Sequence, residues 1–137
     1  MAQMGKPSGR GADAELPQLS ETRHITFSKE ALTYALTSYL AASKQPLPPG
    51  MLQSCEIAAK PDISVTLGIL DAISGMLEKA KIPAETVGAA MIRYCRLVNV
   101  PLPRTAEKSL VSAGDNLILT VHVRSEQTKL FEIKGRD

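Results

Sequence analysis

The chain repeats part of its own sequence, and this repeat constrains the fold more than any other feature of the 137 residues. A shift of 55 positions aligns residues 27–59 with residues 82–114 without a gap. The identical pairs are Glu30/Glu85, Ala35/Ala90, Tyr39/Tyr94, Pro46/Pro101, Leu47/Leu102, Pro48/Pro103, Ser54/Ser109 and Ala58/Ala113. Self-similarity at a fixed period is typical of a duplicated structural unit. The sequence therefore predicts two copies of one unit.

The first part of each copy has the periodicity of an amphipathic helix. Apolar residues fall three and four positions apart, at Leu32, Ala35, Leu36, Tyr39 and Leu40 and again at Val87, Ala90, Met91, Tyr94, Cys95 and Val98. Ser28 is a suitable N-cap for the first helix, and Pro83 suits the first turn of the second. We therefore predict one helix from Ser28 to about Lys44 and an equivalent helix in the second copy.

A Pro-Leu-Pro segment follows each predicted helix. The first proline pushes the residue before it out of the helical region, and the second fixes φ near a helical value. These features predict a stiff corner that leads to a second, short helix at about 50–59 and 104–113. The structural residues of the two corners are Pro46, Leu47, Pro48, Pro101, Leu102 and Pro103, with Tyr39 and Tyr94 packed beneath them.

Alternating apolar residues after each short helix predict strands at Ile63–Ile69 and Leu117–Val123. Between the copies, a helical pattern predicts a linking helix at about 70–81, and the alternative is one helix from Pro61 to Lys81. The predicted fold is α+β: a tandem duplication of a helix–corner–helix–strand unit with approximate internal twofold symmetry, in which helices cover a small antiparallel sheet.

The predicted organisation is a flexible N-terminal arm followed by a single domain. Residues 1–24 are rich in Gly, Ser, Pro and charge, and such segments bury too little apolar surface to become ordered. The domain at 25–137 would hold repeat one at about 27–69, the linking helix at 70–81 and repeat two at 82–124. A C-terminal strand or tail would follow at 125–137.

Cysteine and histidine usage indicates neither a disulfide framework nor a metal site, because Cys55, Cys95, His24 and His122 lack the spacing that such sites show. No apolar run approaches the ~18 residues of a membrane span. We therefore predict a cytoplasmic protein with no metal, no cofactor and no membrane contact.

One group of cationic residues suggests nucleic acid binding. Arg93 and Arg96 lie three apart on one predicted helix, and Arg104 and Lys108 lie four apart on the next. A helix-turn-helix places its second helix in the major groove of DNA, and Arg104 would stand at the start of that helix. The alternative is an ordinary solvated basic face, since four cations neutralise few phosphates and no glycine marks the predicted turn.

No catalytic residue can be assigned from the sequence. The leading hypothesis is a non-enzymatic interaction or regulatory module that binds a protein partner or a second copy of itself. The alternative is DNA binding through the basic helix–corner–helix of the second repeat.

Overall fold

The computed structural model of the chain describes residues 16–124. Its elements in chain order are β1 (Ser20–Phe27), α1 (Lys29–Ala42), β2 (Met51–Ala58), β3 (Ser64–Leu70), β4 (Leu77–Pro83), α2 (Ala84–Leu97), β5 (Glu107–Ala113) and β6 (Asn116–Arg124). The order strand–helix–strand–strand therefore occurs twice, as β1-α1-β2-β3 and as β4-α2-β5-β6.

The predicted helix–corner–helix–strand unit is wrong. The segments predicted as short second helices, 50–59 and 104–113, contain strands β2 and β5 instead. The predicted linking helix at 70–81 is a turn followed by β4. The fold is mostly strand and has two three-stranded antiparallel sheets, not one small sheet covered by helices.

These errors have a physical reason. An isolated helix of about ten residues is marginal in water, so a short segment takes the conformation that its neighbours can satisfy. Strands β2 and β4 each hydrogen-bond along the whole of β3, and β5 pairs in the same way with β6. Before β4, the Asp71 carboxylate accepts the N–H of Ile73 at 2.8 Å, and Gly75 has a φ of 76°. This tight turn reverses the chain direction, so that β4 runs antiparallel to β3.

The two long helices were predicted correctly, and they are again 55 residues apart. The Ser28 hydroxyl accepts the N–H of Ala31 at 3.2 Å and so caps the first turn of α1. At α2 the equivalent position is Pro83, and no side chain caps that helix. The strands predicted at Ile63–Ile69 and Leu117–Val123 are also present, as β3 and β6.

Both helices end before the Pro-Leu-Pro segments, through the same backbone motif. Lys44 and Asn99 have φ values of 61° and 64°, in the left-handed region. The next N–H in each case, of Gln45 or Val100, donates to the carbonyl of Leu40 or Cys95 at 2.9 and 2.8 Å. This Schellman arrangement satisfies carbonyls that the helix leaves unpaired. The predicted corners are therefore extended connections to β2 and β5, and their Leu47 and Leu102 are half-buried against the core.

Replacing Lys44 with glycine should stabilise the protein. Lys44 is exposed and occupies a left-handed position that glycine adopts without the clash of a Cβ atom. We expect Lys44→Gly to raise the free energy of unfolding by about 0.5–1 kcal/mol, measured by urea denaturation. Lys44→Ala is the control and should give no gain. Asn99→Gly should gain less, because asparagine tolerates this conformation; an equal gain at both sites would contradict this explanation.

Each sheet combines strands from both halves of the chain. In the first sheet, of order β1-β6-β5, the opening strand pairs with the last described one. In the second, of order β2-β3-β4, the opening strand of the second half pairs with β3 of the first. Strand β1 begins at Ser20, so residues 20–24 of the predicted arm lie in a sheet. Residues 1–15 and the predicted C-terminal strand or tail at 125–137 lie outside the described residues.

One hydrophobic core joins both helices and both sheets. The central strands contribute Val65 and Leu67 from β3, and Leu117, Leu119 and Val121 from β6. The hairpin loop of the second half is three residues shorter than that of the first, so these strands correspond with a shift of 52. The helices contact each other at equivalent positions, where Arg93 Nη1 donates to Ser38 Oγ at 3.3 Å.

Candidate functional site

The structure places the four cationic residues that suggested nucleic acid binding on a helix, a connection and a strand. Arg93 and Arg96 lie on α2, where Arg93 is half-buried against Ser38 and Arg96 is exposed. Arg104 lies in the connection before β5, and Lys108 lies on β5 itself. The Lys108 ammonium donates to the carbonyls of Pro103 and Ala106 at 3.5 and 3.3 Å. The predicted recognition helix is therefore a connection and a strand, and it cannot present Arg104 to a major groove as predicted.

The duplicated tyrosines take part in packing. Tyr39 and Tyr94 are both half-buried against the core. The Tyr94 ring meets Phe27 edge to face, with 5.8 Å between centroids, and meets Tyr34 in the same way at 5.7 Å. Such aromatic pairs stabilise a fold beyond the area that they bury. The Tyr94 ring therefore packs against aromatic side chains of β1 and α1.

The two cysteines are buried free thiols. Cys95 is 1% exposed and belongs to the core, and burial raises the pKa of its thiol. A thiol that burial keeps neutral is a poor nucleophile. Among residues 16–124 no three His, Cys, Asp or Glu side chains come together as a possible metal site. His122 instead contacts the Thr22 hydroxyl through Nδ1 at 2.7 Å, across β1 and β6.

The buried thiol of Cys95 should make stability fall at alkaline pH. The raised pKa means that the folded protein holds the thiol proton more tightly than the unfolded chain does. The contribution of Cys95 is therefore complete below the ordinary thiol pKa of about 8.5 and is lost as pH rises through the folded value. Unfolding free energies of the wild type should decline over this window. In Cys95→Ala the decline should be smaller, and equal slopes would show that Cys95 is not its source.

The outer face of the β2-β3-β4 sheet carries an exposed apolar row. Residues paired across neighbouring strands project from the same face, so Met51, Leu70 and Leu77 form one line across all three strands. Met51 is 66% exposed, Leu77 is 50% exposed and Leu70 is half-buried. The turn beside this row adds Ile73, at 98%, and Met76, at 67%. We call these five residues the apolar row.

The remaining outward residues of this sheet are mostly polar. The next row holds Ser54, Gly68 and Lys79, and the row after it holds Glu56, Thr66 and Lys81. A Cβ atom on Gly68 would come within 2.4 Å of Ser54 Oγ and 3.6 Å of Leu77 Cδ1. The face is therefore apolar at one end and charged at the other. The sequence pattern does not reveal this face, because the apolar spacing at 70–81 predicts a helix there.

A large open cavity lies beside the start of α2. It has a volume of about 890 Å³ and lies between α2, β5, the end of β4 and the loop before β3. The helix lines it with positions 84, 85, 88, 89 and 92. A smaller cavity of about 480 Å³ uses positions 29, 30, 33, 34 and 37 of α1, each 55 residues earlier, together with β2. The two cavities are therefore equivalent places in the two halves.

Neither helix within residues 16–124 is long and apolar enough to cross a membrane. Comparison with protein families, with curated proteins and with solved structures finds no match to this chain in any of the three.

Proposed function

We propose that this protein is a non-enzymatic interaction module and that the outer face of its β2-β3-β4 sheet binds a second copy of the chain. The observation that supports this most is the apolar row, which leaves Met51, Leu77 and the adjoining turn exposed to water. Contiguous exposed apolar surface is typical of protein interaction sites. A second copy is the occupant that the register favours, because this face complements itself.

The complementarity follows from a twofold axis that runs parallel to the strands, between two facing copies. Such an axis lays β2 of one copy over β4 of the other, and β3 over β3. Met51 then faces the Leu77 of the second copy, and Leu70 faces its own equivalent. In the charged row, Glu56 faces the Lys81 of the second copy, and this pairing occurs twice. One twofold rotation therefore brings the apolar ends of the two copies together and places opposite charges against each other.

The area of this sheet face determines how strongly two copies of the chain are expected to associate. Strands lie about 4.8 Å apart, and outward residues recur about every 6.8 Å along each strand. Three strands with four outward residues each cover about 400 Å² per copy and about 800 Å² in total, below the roughly 1,000 Å² of a stable specific interface. We therefore expect a reversible dimer whose population depends on protein concentration.

Leu70→Lys tests this function, because Leu70 lies on the proposed axis and the substitution would place two ammonium groups against each other. Like charges in an interface cost several kcal/mol. We expect sedimentation velocity to show concentration-dependent dimers for the wild type and about 100-fold weaker association for Leu70→Lys. Leu97→Lys is the matched control, since Leu97 is 53% exposed on α2, outside this sheet. A wild type that stays monomeric at all concentrations would refute the proposal.

A charge reversal tests the orientation of the two copies. Glu56→Lys would place two lysines opposite each other and should weaken the dimer. Adding Lys81→Glu restores opposite charges in the same geometry and should recover most of the affinity. If the double variant is as weak as Glu56→Lys alone, the proposed axis is wrong.

Nucleic acid binding and a cytoplasmic location stay predictions. The structure lacks the helix-turn-helix geometry on which the DNA-binding hypothesis was based. The four positive charges are present, at Arg93, Arg96, Arg104 and Lys108. Loss of salt-sensitive DNA binding in Arg104→Ala/Lys108→Ala is still the direct test of that role.

A further inference from the structure

We propose that the outer face of the β1-β6-β5 sheet binds a divalent transition metal ion through His24 and His122. These are the only two histidines of the chain, and they lie 98 positions apart in the sequence. The pairing of β1 with β6 brings them together, so the spacing of the sequence does not reveal the pair. The inference is independent of the proposed dimer, which uses the other sheet.

The register of the two strands places the histidines side by side on one face. Phe27 of β1 points into the core, and residues of a strand alternate between its two faces, so His24 points outward. His24 lies opposite Thr120, and His122 lies two residues farther along β6. The histidines are therefore diagonal neighbours, at a separation of about 7–8 Å or less that two long side chains can bridge. An ion between the two rings would lie about 2.0–2.1 Å from one nitrogen of each.

A hydrogen bond orients the His122 ring toward this position. Its Nδ1 lies 2.7 Å from the Thr22 hydroxyl oxygen on β1. With the ring proton on Nδ1, this nitrogen donates to the hydroxyl, and Nε2 keeps the lone pair that a metal ion requires. Histidines that bind metals usually donate through their other ring nitrogen in this way. Because Thr22 and His24 lie on the same strand, the bond also turns the His122 ring toward the strand that carries His24.

The His24 ring can supply the second ligand. His24 is exposed, so a hydrated ion can reach its ring from solvent. The Thr120 hydroxyl oxygen opposite it is buried and has no hydrogen-bond partner among the described residues. Thr120 therefore does not hold the His24 ring away from His122.

The ligands determine which cations this site selects. The charges beside the pair are balanced, because Glu107 lies opposite His122 on β5 and Arg124 lies two residues beyond it on β6. Imidazole nitrogens bind Ni²⁺, Cu²⁺ and Zn²⁺, whereas Mg²⁺ and Ca²⁺ prefer oxygen. In the part of the chain that the structure describes, no third His, Cys, Asp or Glu completes a metal-binding group. Water would fill the other positions, and we expect dissociation constants of about 1–100 μM.

Calorimetric titration of the untagged full-length protein with Ni²⁺, Zn²⁺, Mg²⁺ and Ca²⁺ chlorides tests this site. We expect one Ni²⁺ or Zn²⁺ ion per chain and no binding of Mg²⁺ or Ca²⁺. His24→Gln and His122→Gln each remove one ligand, and each should weaken Ni²⁺ binding by at least ~10-fold. Thr26→Gln changes another outward residue of β1 and should keep the affinity within about twofold of the wild type. Unchanged binding in either histidine variant, or one ion per two chains, would overturn the proposal.

Two further measurements separate a paired site from a lone histidine. Paramagnetic Ni²⁺ should broaden the ring NMR signals of His24 and His122 at the same metal concentration, and broadening of one ring alone would overturn the site. Thr22→Val removes the hydroxyl that orients His122 and should weaken Ni²⁺ binding by ~3- to 10-fold. Thr22→Ser keeps the hydroxyl and should bind like the wild type. Equal affinity in Thr22→Val and the wild type would overturn the orienting role of Thr22.

Discussion

Two separately produced halves of the chain, residues 1–74 and 75–137, are expected to be unfolded alone and to regain the native structure when mixed. The division falls in the turn between β3 and β4, where Ile73 is 98% exposed. The hydrogen bonds that cross the cut belong to the turn itself, such as those from Gly75 N–H to the Asp71 carbonyl and from Asp71 N–H to the Met76 carbonyl. The loss of structure in each half comes from the way in which the sheets are built.

Neither half contains a complete sheet. The first half keeps the hairpin of β2 and β3, but its β1 has lost β6 as a partner. The second half keeps the hairpin of β5 and β6, but its β4 has lost β3. A two-stranded hairpin is marginal in water, and the single helix of each half loses the helix against which it packs. Each half alone should therefore lack cooperative unfolding.

Circular dichroism and NMR spectra of each half alone would measure its loss of structure directly. An equimolar mixture should recover the spectrum of the intact chain. The two halves should bind each other tightly, because their association rebuilds the core that they share. The matched control is a chain nicked chemically at the same turn after folding, which should remain associated. A first half that folds cooperatively as a monomer would show that the pairing of β1 with β6 is dispensable.

The helices were predictable because their apolar periodicity extends over four turns and agrees with capping and with the repeat. Leu32, Leu36, Val87 and Met91 are all fully buried, as the pattern requires. Strands β3 and β6 were predictable because alternation and β-branched residues agreed with each other. In these segments the local preference and the tertiary environment favour the same conformation.

Strands β2, β4 and β5 were not predictable in the same way, because their local signals conflict. Leu77-Glu78-Lys79-Ala80-Lys81 contains good helix formers, yet the turn at Asp71–Gly75 places it alongside β3. The exchange of first strands between the halves has no local sequence signal either, because the β1 and β6 pairing partners are 90 to 104 positions apart. The repeat indicated two units, but it could not show that each sheet mixes them.

The cavity could have been suspected from the repeat alone. Within the aligned helices, Thr33 and Tyr34 are replaced by Gly88 and Ala89, which removes more side-chain volume than any other adjacent pair of replacements there. The more conspicuous difference between the copies is the gain of charge in the second, which suggests nucleic acid binding rather than a cavity.

Truncation of the central core leucines should destabilise the protein by several kcal/mol. Leu67 of β3 and Leu119 of β6 are equivalent under the shift of 52, and they are 0% and 1% exposed. Replacing a fully buried leucine with alanine loses its transfer free energy and leaves a void, at a cost of about 2–5 kcal/mol. Urea denaturation should show this loss for both variants. Val111→Ala, at a residue 48% exposed on β5, is the control and should cost less than about 1 kcal/mol.

Leu67→Ala and Leu119→Ala should not lose the same free energy of unfolding, and the difference between the two losses tests the presence of the cavity. Leu119 lines the 890 Å³ cavity, whereas Leu67 does not line it and lies in the core between the helices and the sheet. The space left by Leu119→Ala joins an existing opening, so fewer packing contacts are lost than in the closed void left by Leu67→Ala. We expect Leu67→Ala to cost about 1 kcal/mol more than Leu119→Ala. In the Gly88→Thr/Ala89→Tyr background, which fills the opening, the two costs should converge. A difference that persists there would mean that the cavity is not its cause.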